Sequence, residues 1–191
     1  MLENLKKYRI ILGSQSPRRK ELLAGLDIDF EIKTIDVEEN YPATMMGVDI
    51  PMFLARKKAS AYTLSEEDLL ITADTIVWHK GTVYGKPTDR NDAKRMLKTL
   101  SGQMHQVITG VCITTKNSQK TFHVTSDVFF ARFSDAEIEY YLDHYQPYDK
   151  AGSYGIQEWI GYVGVERIEG SYFNVMGLPV QRLYTELKHW K

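Results

Sequence analysis

Ser14, Ser16, Arg18 and Arg19 crowd the junction between an apolar run and a helix pattern in YRIILGSQSPRRKELL, residues 8–23. Ser16 suits a helix N-cap, and Pro17 suits the first helical turn, where a missing N–H costs nothing. Backbone N–H groups at such a helix start carry partial positive charge, so the dipole there disfavours cations. Two arginines beside two hydroxyls therefore fit an anion, with a phosphate chain the best match. The competing reading is a solvated arginine pair on an ordinary capped helix.

Other residues with chemical potential follow. In VDIPMFLARKKASAYTL (48–64), a helical step of about 100° puts Val48, Pro51, Leu54, Ala55, Ala59 and Tyr62 on one arc. Lys58 falls inside that arc, so its ammonium must snorkel to water or meet an anion. In DLLITADTIVW (68–78), Asp74 interrupts an apolar run, and burying it requires a partner. It reads as a turn or arginine-paired structural carboxylate, or as one that ligates a divalent cation or takes a proton from water. Aspartate suits neither a strand nor a core, which favours the second reading. Glu38 and Glu39 read as surface charge or as metal ligands. Gly85-Lys86-Pro87 is a rigid turn that presents one lysine. The glycine-rich DKAGSYGIQ (149–157) ends in Gln157, whose amide offers a donor and an acceptor to a base or sugar; the plainer reading is a simple loop.

The elements that must position these residues alternate. Strands are expected near 8–13, 29–35, 69–78, 82–84, 104–115, 120–132 and 161–169. Helices are expected near 17–25, 48–64, 89–100, 134–145 and 179–189. Lys80-Gly81 reads as a tight hairpin turn, and Asn117-Ser118 as the turn of a longer hairpin. Ser134 with Glu137 makes a capping box. Strands joined by both helices and hairpins predict an α/β fold with a mixed, twisted sheet flanked by helices. In such folds ligand sites gather at the loops beyond the strand ends.

The chain of 191 residues carries 24 basic and 25 acidic side chains, a net charge of −1. That balance gives no drive towards nucleic acid or an anionic membrane. The small basic clusters at Arg18–Lys20 and Arg56–Lys58 suit a small anionic ligand better. Cys112, the single cysteine, lies in an apolar run and reads as a buried, inert thiol, compatible with a reducing cytoplasm. No stretch reads as a signal peptide or a membrane span. The five histidines show no metal-ligand spacing, and no Walker motif or GxGxxG is present.

Taken in order, SQSPRRKELL, LARKKA, ADTIV, GKP, LSGQMHQVITGV, DKAGSYGIQ and GSYFNVMGLP resemble the Maf family of nucleoside triphosphate pyrophosphatases, from about Arg9 to Leu187. The YGIQ segment resembles the dTTP/UTP pyrophosphatase branch. The resemblance implies a single domain over 1–191, elongated and two-lobed with a cleft, like inosine triphosphate pyrophosphatases. It implies cleavage of the α–β phosphoanhydride with Mg²⁺ or Mn²⁺, a nucleoside triphosphate as substrate, and a homodimer without nucleic acid or membrane as partner. By position, Ser14, Arg18 and Arg19 match the phosphate-binding turn, with Thr75 and Gln157 as further substrate contacts. Glu39, Lys58, Asp74 and Lys86 match the catalytic set, with Asp74 and Glu39 as metal ligands. Glu158-Trp159 departs from the family pattern, where glycine is usual after the glutamine, and so puts base preference at issue. The alternatives are a 7-methyl-GTP pyrophosphatase and a nucleotide-binding regulator of cell division without turnover.

Overall fold

Seven strands form one mixed sheet in the computed structural model, which describes residues 2–191, in the order β2-β1-β3-β5-β6-β7 with β4 paired to β3. The strands are β1 (Arg9–Leu12), β2 (Glu31–Ile32), β3 (Asp68–His79), β4 (Thr82–Tyr84), β5 (Met104–Thr114), β6 (Gln119–Phe130) and β7 (Val165–Glu169). The helices are α1 (Pro17–Ala24), α2 (Asp49–Ser60), α3 (Arg90–Leu100), α4 (Asp135–Tyr145), α5 (Trp159–Gly164), α6 (Tyr172–Met176) and α7 (Val180–Lys188). No helix among the described residues is long and apolar enough to cross a membrane.

The chain divides into two units: Met1–Asp74 with Thr109–Val124 and Gly177–Lys191, and Thr75–Ile108 with Thr125–Met176. In the first unit β1 pairs in parallel with both β2 and β3, with Leu12 opposite Ile71. A parallel strand between two others is buried on both faces, which is why RIIL and LLITA are nearly continuous apolar runs rather than alternating ones. Helix α2 lies close on this layer. A Cβ on Gly110 of β5 would stand 2.4 Å from the Pro51 carbonyl group, so only glycine admits the first turn of α2 there. Ala55 and Ala59 of α2 join Ile11, Leu70 and Cys112 in one core cluster. The thiol is fully buried, as its apolar context predicts.

The second unit has its own core. Ala93, Met96, Leu97 and Leu100 of α3, spaced for one helical face, pack with Val128, Ile138, Tyr141, Tyr154 and Ile156. Asp89 caps α3 by accepting from Asp92 N at 2.9 Å, and Ser134 with Glu137 forms the expected capping box on α4. Lys80 and Gly81 both have positive φ, the geometry of a tight hairpin turn between β3 and β4.

Four elements depart from the sequence reading, one of them α6 (Tyr172–Met176), a short helix in a stretch where no element is expected. The expected strand over 161–169 is helical to Gly164 and extended only from Val165. The run WIGYVGV is apolar enough for either state, and tertiary contact decides: Gly164 lies under the Phe133 ring and Gly161 against the Ile156 carbonyl. The expected strand over 29–35 shrinks to Glu31–Ile32, an exposed edge. Helix α2 stops at Ser60 rather than 64, where Tyr62 turns away to donate to Lys33 O at 2.7 Å.

Candidate active site

The turn after β1 is built as its residue types require. Gly13 N extends the pairing with β3 by donating to Ile71 O at 2.9 Å. Ser16 caps α1, accepting from Arg19 N, and Pro17 occupies the first turn. Ser14 Oγ accepts from Ser16 N at 3.2 Å and from Arg19 Nη1 at 3.4 Å. Arg19 reaches further: its Nε donates to Gly177 O at 2.8 Å and its Nη1 to Ala73 O at 2.9 Å. One guanidinium thus ties the turn to β3 beside Asp74 and to the loop before α7. Burial lowers its pKa, with the Asp74 charge acting against that, and an arginine so placed stays charged. Arg18, one position earlier on α1, is half-buried.

Asp74 and Lys58 meet because two periodicities coincide. Thr72 and Asp74 are two apart on β3 and share a face; Ala55 and Lys58 are three apart on α2 and share a side. Thr72 Oγ1 donates to Ala55 O at 2.8 Å, which sets the register. Lys58 Nζ then lies 2.6 Å from Asp74 Oδ1 and 2.7 Å from Glu39 Oε1. The side chains of Lys58 and Asp74 are 15% and 9% exposed, while that of Glu39 is 42% exposed. Of the adjacent glutamates, Glu39 is the one that reaches the lysine. Burial pushes the Asp74 carboxyl above its ordinary value; Lys58 and Arg19 pull it down and Glu39 adds to the rise. The ammonium that the helical arc places on an apolar face is therefore met by two carboxylates.

The structure brings Ser14, Arg19, Glu39, Lys58 and Asp74 together in the first unit. Thr75, Lys86 and Gln157 belong to the second. Thr75 follows Asp74 in β3 and is half-buried; Lys86 is exposed in the bend after β4; Gln157 is half-buried in the turn before α5. Gly152 N donates to Gly85 O at 3.0 Å, so the loop that carries Gln157 is tied to the turn that carries Lys86. Sequence reasoning missed the carbonyls of Ala73 and Gly177, which backbone atoms of any residue type supply. It also missed Lys150, which is buried; a lysine in a glycine-rich loop was the available signal.

The fold is that of the solved HAM1 protein from Coxiella burnetii, with a TM-score of 0.51 at 19% identity over 96% of this chain and 100% of that one. At the level of sequence, the family described as Maf-like protein matches residues 9–190, and the chain belongs to it. Its relatives include the "dTTP/UTP pyrophosphatase" of Bacteroides fragilis strain YCH46, 62% identical over 98% of this chain and 99% of that protein. The protein of the same name from Parabacteroides distasonis is 61% identical over the full length of both.

Proposed function

We propose that this chain hydrolyses dTTP and UTP at the α–β phosphoanhydride, releasing the nucleoside monophosphate and pyrophosphate. The observation that carries the proposal is the Lys58 ammonium held between Glu39 and Asp74, in a chain whose full-length relatives bear that activity in their names. A nucleoside triphosphate carries about four negative charges near neutral pH, which basic side chains must offset. Arg18, Lys58 and Lys86 bind the phosphate oxygens. Ser14 contributes its hydroxyl, and Arg19, anchored by the Ala73 and Gly177 carbonyls, contributes fixed positive charge. Thr75 adds a hydroxyl contact, and Gln157 reads the base through its amide.

The donor set suits a hard divalent cation such as Mg²⁺ or Mn²⁺. Glu39 and Asp74 offer carboxylate oxygens that already share one cationic neighbour, the Lys58 ammonium. Two carboxylates, with water and phosphate oxygens completing the shell, are a common way of binding Mg²⁺. No group of three or more His, Cys, Asp or Glu ligands is present among the described residues, so substrate oxygens belong to the scheme. Glu39 and Asp74 would hold the ion, whose chemistry is to neutralise phosphate charge and acidify water. Asp74, its basicity raised by burial, accepts a proton from the attacking water, and Lys58 steadies the charge that develops on the phosphate. The family resemblance supports action as a homodimer, and a single free, buried cysteine fits a reducing cytoplasm.

The test is pyrophosphate release from dTTP, UTP, CTP, GTP and 7-methyl-GTP, each with Mg²⁺ or Mn²⁺. Fast release from dTTP and UTP is expected. Preference for 7-methyl-GTP would overturn the base assignment, and binding without release from any nucleotide would overturn the activity.

A further inference from the structure

Beside Gln157 lies a buried cluster that no step of the reaction above uses. Lys150 Nζ is 3.0 Å from Glu158 Oε1 and 2.7 Å from Asp149 Oδ1. The Tyr141 hydroxyl donates to Glu158 Oε2 and accepts from Gly155 N at 3.0 Å. Glu158 N in turn donates to Gly155 O at 3.0 Å. Tyr141 is fully buried, and the side chains of Lys150 and Glu158 are 10% and 18% exposed. A Cβ on Gly155 would lie 2.8 Å from the Glu158 carboxyl carbon and 3.0 Å from Lys150 Cε, so the cluster closes tightly under the turn. The charge that Glu158 adds next to Gln157 is therefore turned inward and neutralised.

We propose that Lys150, Glu158 and Tyr141 are positioning residues for base recognition: they clamp both ends of the Gly155–Glu158 turn and so fix how Gln157 presents its amide to a pyrimidine. The proposal rests on Gln157 being the base-reading residue. A carboxamide discriminates between bases only if its donor and acceptor are held in place, since an amide free to flip satisfies either pattern. Tyr141 joins Gly155 N to the Glu158 carboxylate, and Gln157 lies between those two attachment points. A buried Lys–Glu pair is a weak source of stability, because desolvation consumes much of its Coulomb gain. Its worth here is geometric.

The test compares kcat/KM for UTP and CTP, which share a ribose and differ only in the base, in the full-length wild type, Tyr141→Phe, Gln157→Ala and the double variant. The inhibition constant of inorganic tripolyphosphate, which has no base, is measured alongside. Tyr141→Phe is expected to lower the UTP-to-CTP ratio by about fivefold, mainly through KM, and to leave tripolyphosphate inhibition unchanged. In the Gln157→Ala background it is expected to change the ratio no further. Equal losses on both nucleotides with weakened tripolyphosphate binding, or an effect that simply adds to Gln157→Ala, would overturn the clamp. If Gln157→Ala itself left the ratio unchanged, the base-reading role would fail, and the clamp with it. Should Tyr141→Phe not fold, Glu158→Gln takes its place, since it keeps an acceptor for the tyrosine and loses only the pairing with Lys150.

Discussion

Lys58 Nζ sits between Asp74 Oδ1 and Glu39 Oε1, 2.6 Å from the first and 2.7 Å from the second. The Lys58–Asp74 contact joins the last turn of α2 to the middle of β3, and the Thr72–Ala55 hydrogen bond fixes their register. The arrangement holds two carboxylates close together by placing a cation between them. It also keeps Asp74 both buried and usable, which an aspartate without a partner at that depth would not be.

Asp74→Asn keeps the size and hydrogen-bonding reach of the side chain but removes its charge and basicity. The expected result is a loss of kcat of about 10²–10⁴-fold for dTTP with a smaller change in KM, read by pyrophosphate release. Near wild-type turnover would remove Asp74 from the mechanism.

Lys58→Met leaves Glu39 and Asp74 facing each other without their shared cation. Stability at pH 7 should fall by about 2 kcal/mol, discounted for the exposure of Glu39. For a chain of this size that is a Tm lower by about 4–8 °C. The pH dependence has a definite sign. The folded-state pKa of Asp74 already lies above its ordinary value and rises further without Lys58. Its protonated form therefore favours folding, and that contribution is lost as pH rises through the folded pKa. The Tm gap to wild type should narrow on acidification, and adding Mg²⁺ should raise the Tm of the variant more than that of wild type. A gap that widens in acid would contradict the geometry.

His105 in the second unit predicts a different pH effect. Its Nε2 lies 2.7 Å from the Tyr154 hydroxyl, the ring stacks edgewise on Phe130, and burial lowers its pKa to about 3. The unfolded chain binds a proton at this histidine below about pH 6.5 and the folded chain does not, so stability present above that pH is lost as pH falls towards 3. Between pH 6.5 and 5 the slope contributed should approach 1.4 kcal/mol per pH unit, roughly one proton's worth. Urea unfolding of wild type and His105→Gln across this range should show the slope in the first and not in the second.

Gly110→Ala tests the seating of α2. The added methyl meets the Pro51 backbone rather than a flexible side-chain end. A destabilisation of about 3 kcal/mol is expected in denaturant unfolding. Any folded fraction should lose kcat, because Lys58 rides on the displaced helix. Wild-type stability in this variant would mean that α2 does not pack as described.

Much of this was legible from residue order alone. The Ser16 cap, the Pro17 helix start, the Ser134–Glu137 box and the Lys80-Gly81 turn are local chemistry, decided within a few residues, and the structure contains each of them. The apolar arc of α2 showed that Lys58 needed an anion or a route to water. What met it depended on Thr72 pairing with Ala55, on Gly110 admitting the helix, and on the Glu39 segment reaching it; none of these has a local signature. The same holds for Glu158, which beside Gln157 reads as bulk and charge until Lys150 and Tyr141 draw it inward. It holds too for Trp159–Gly164, an apolar run that becomes helix because its glycines fit against Phe133 and Ile156. Sequence settled whatever depended on neighbours along the chain: caps, turns, periodicity and the inventory of charged groups. Tertiary structure settled which charges face one another, because burial and long-range packing, unlike propensity, depend on residues far apart in the chain.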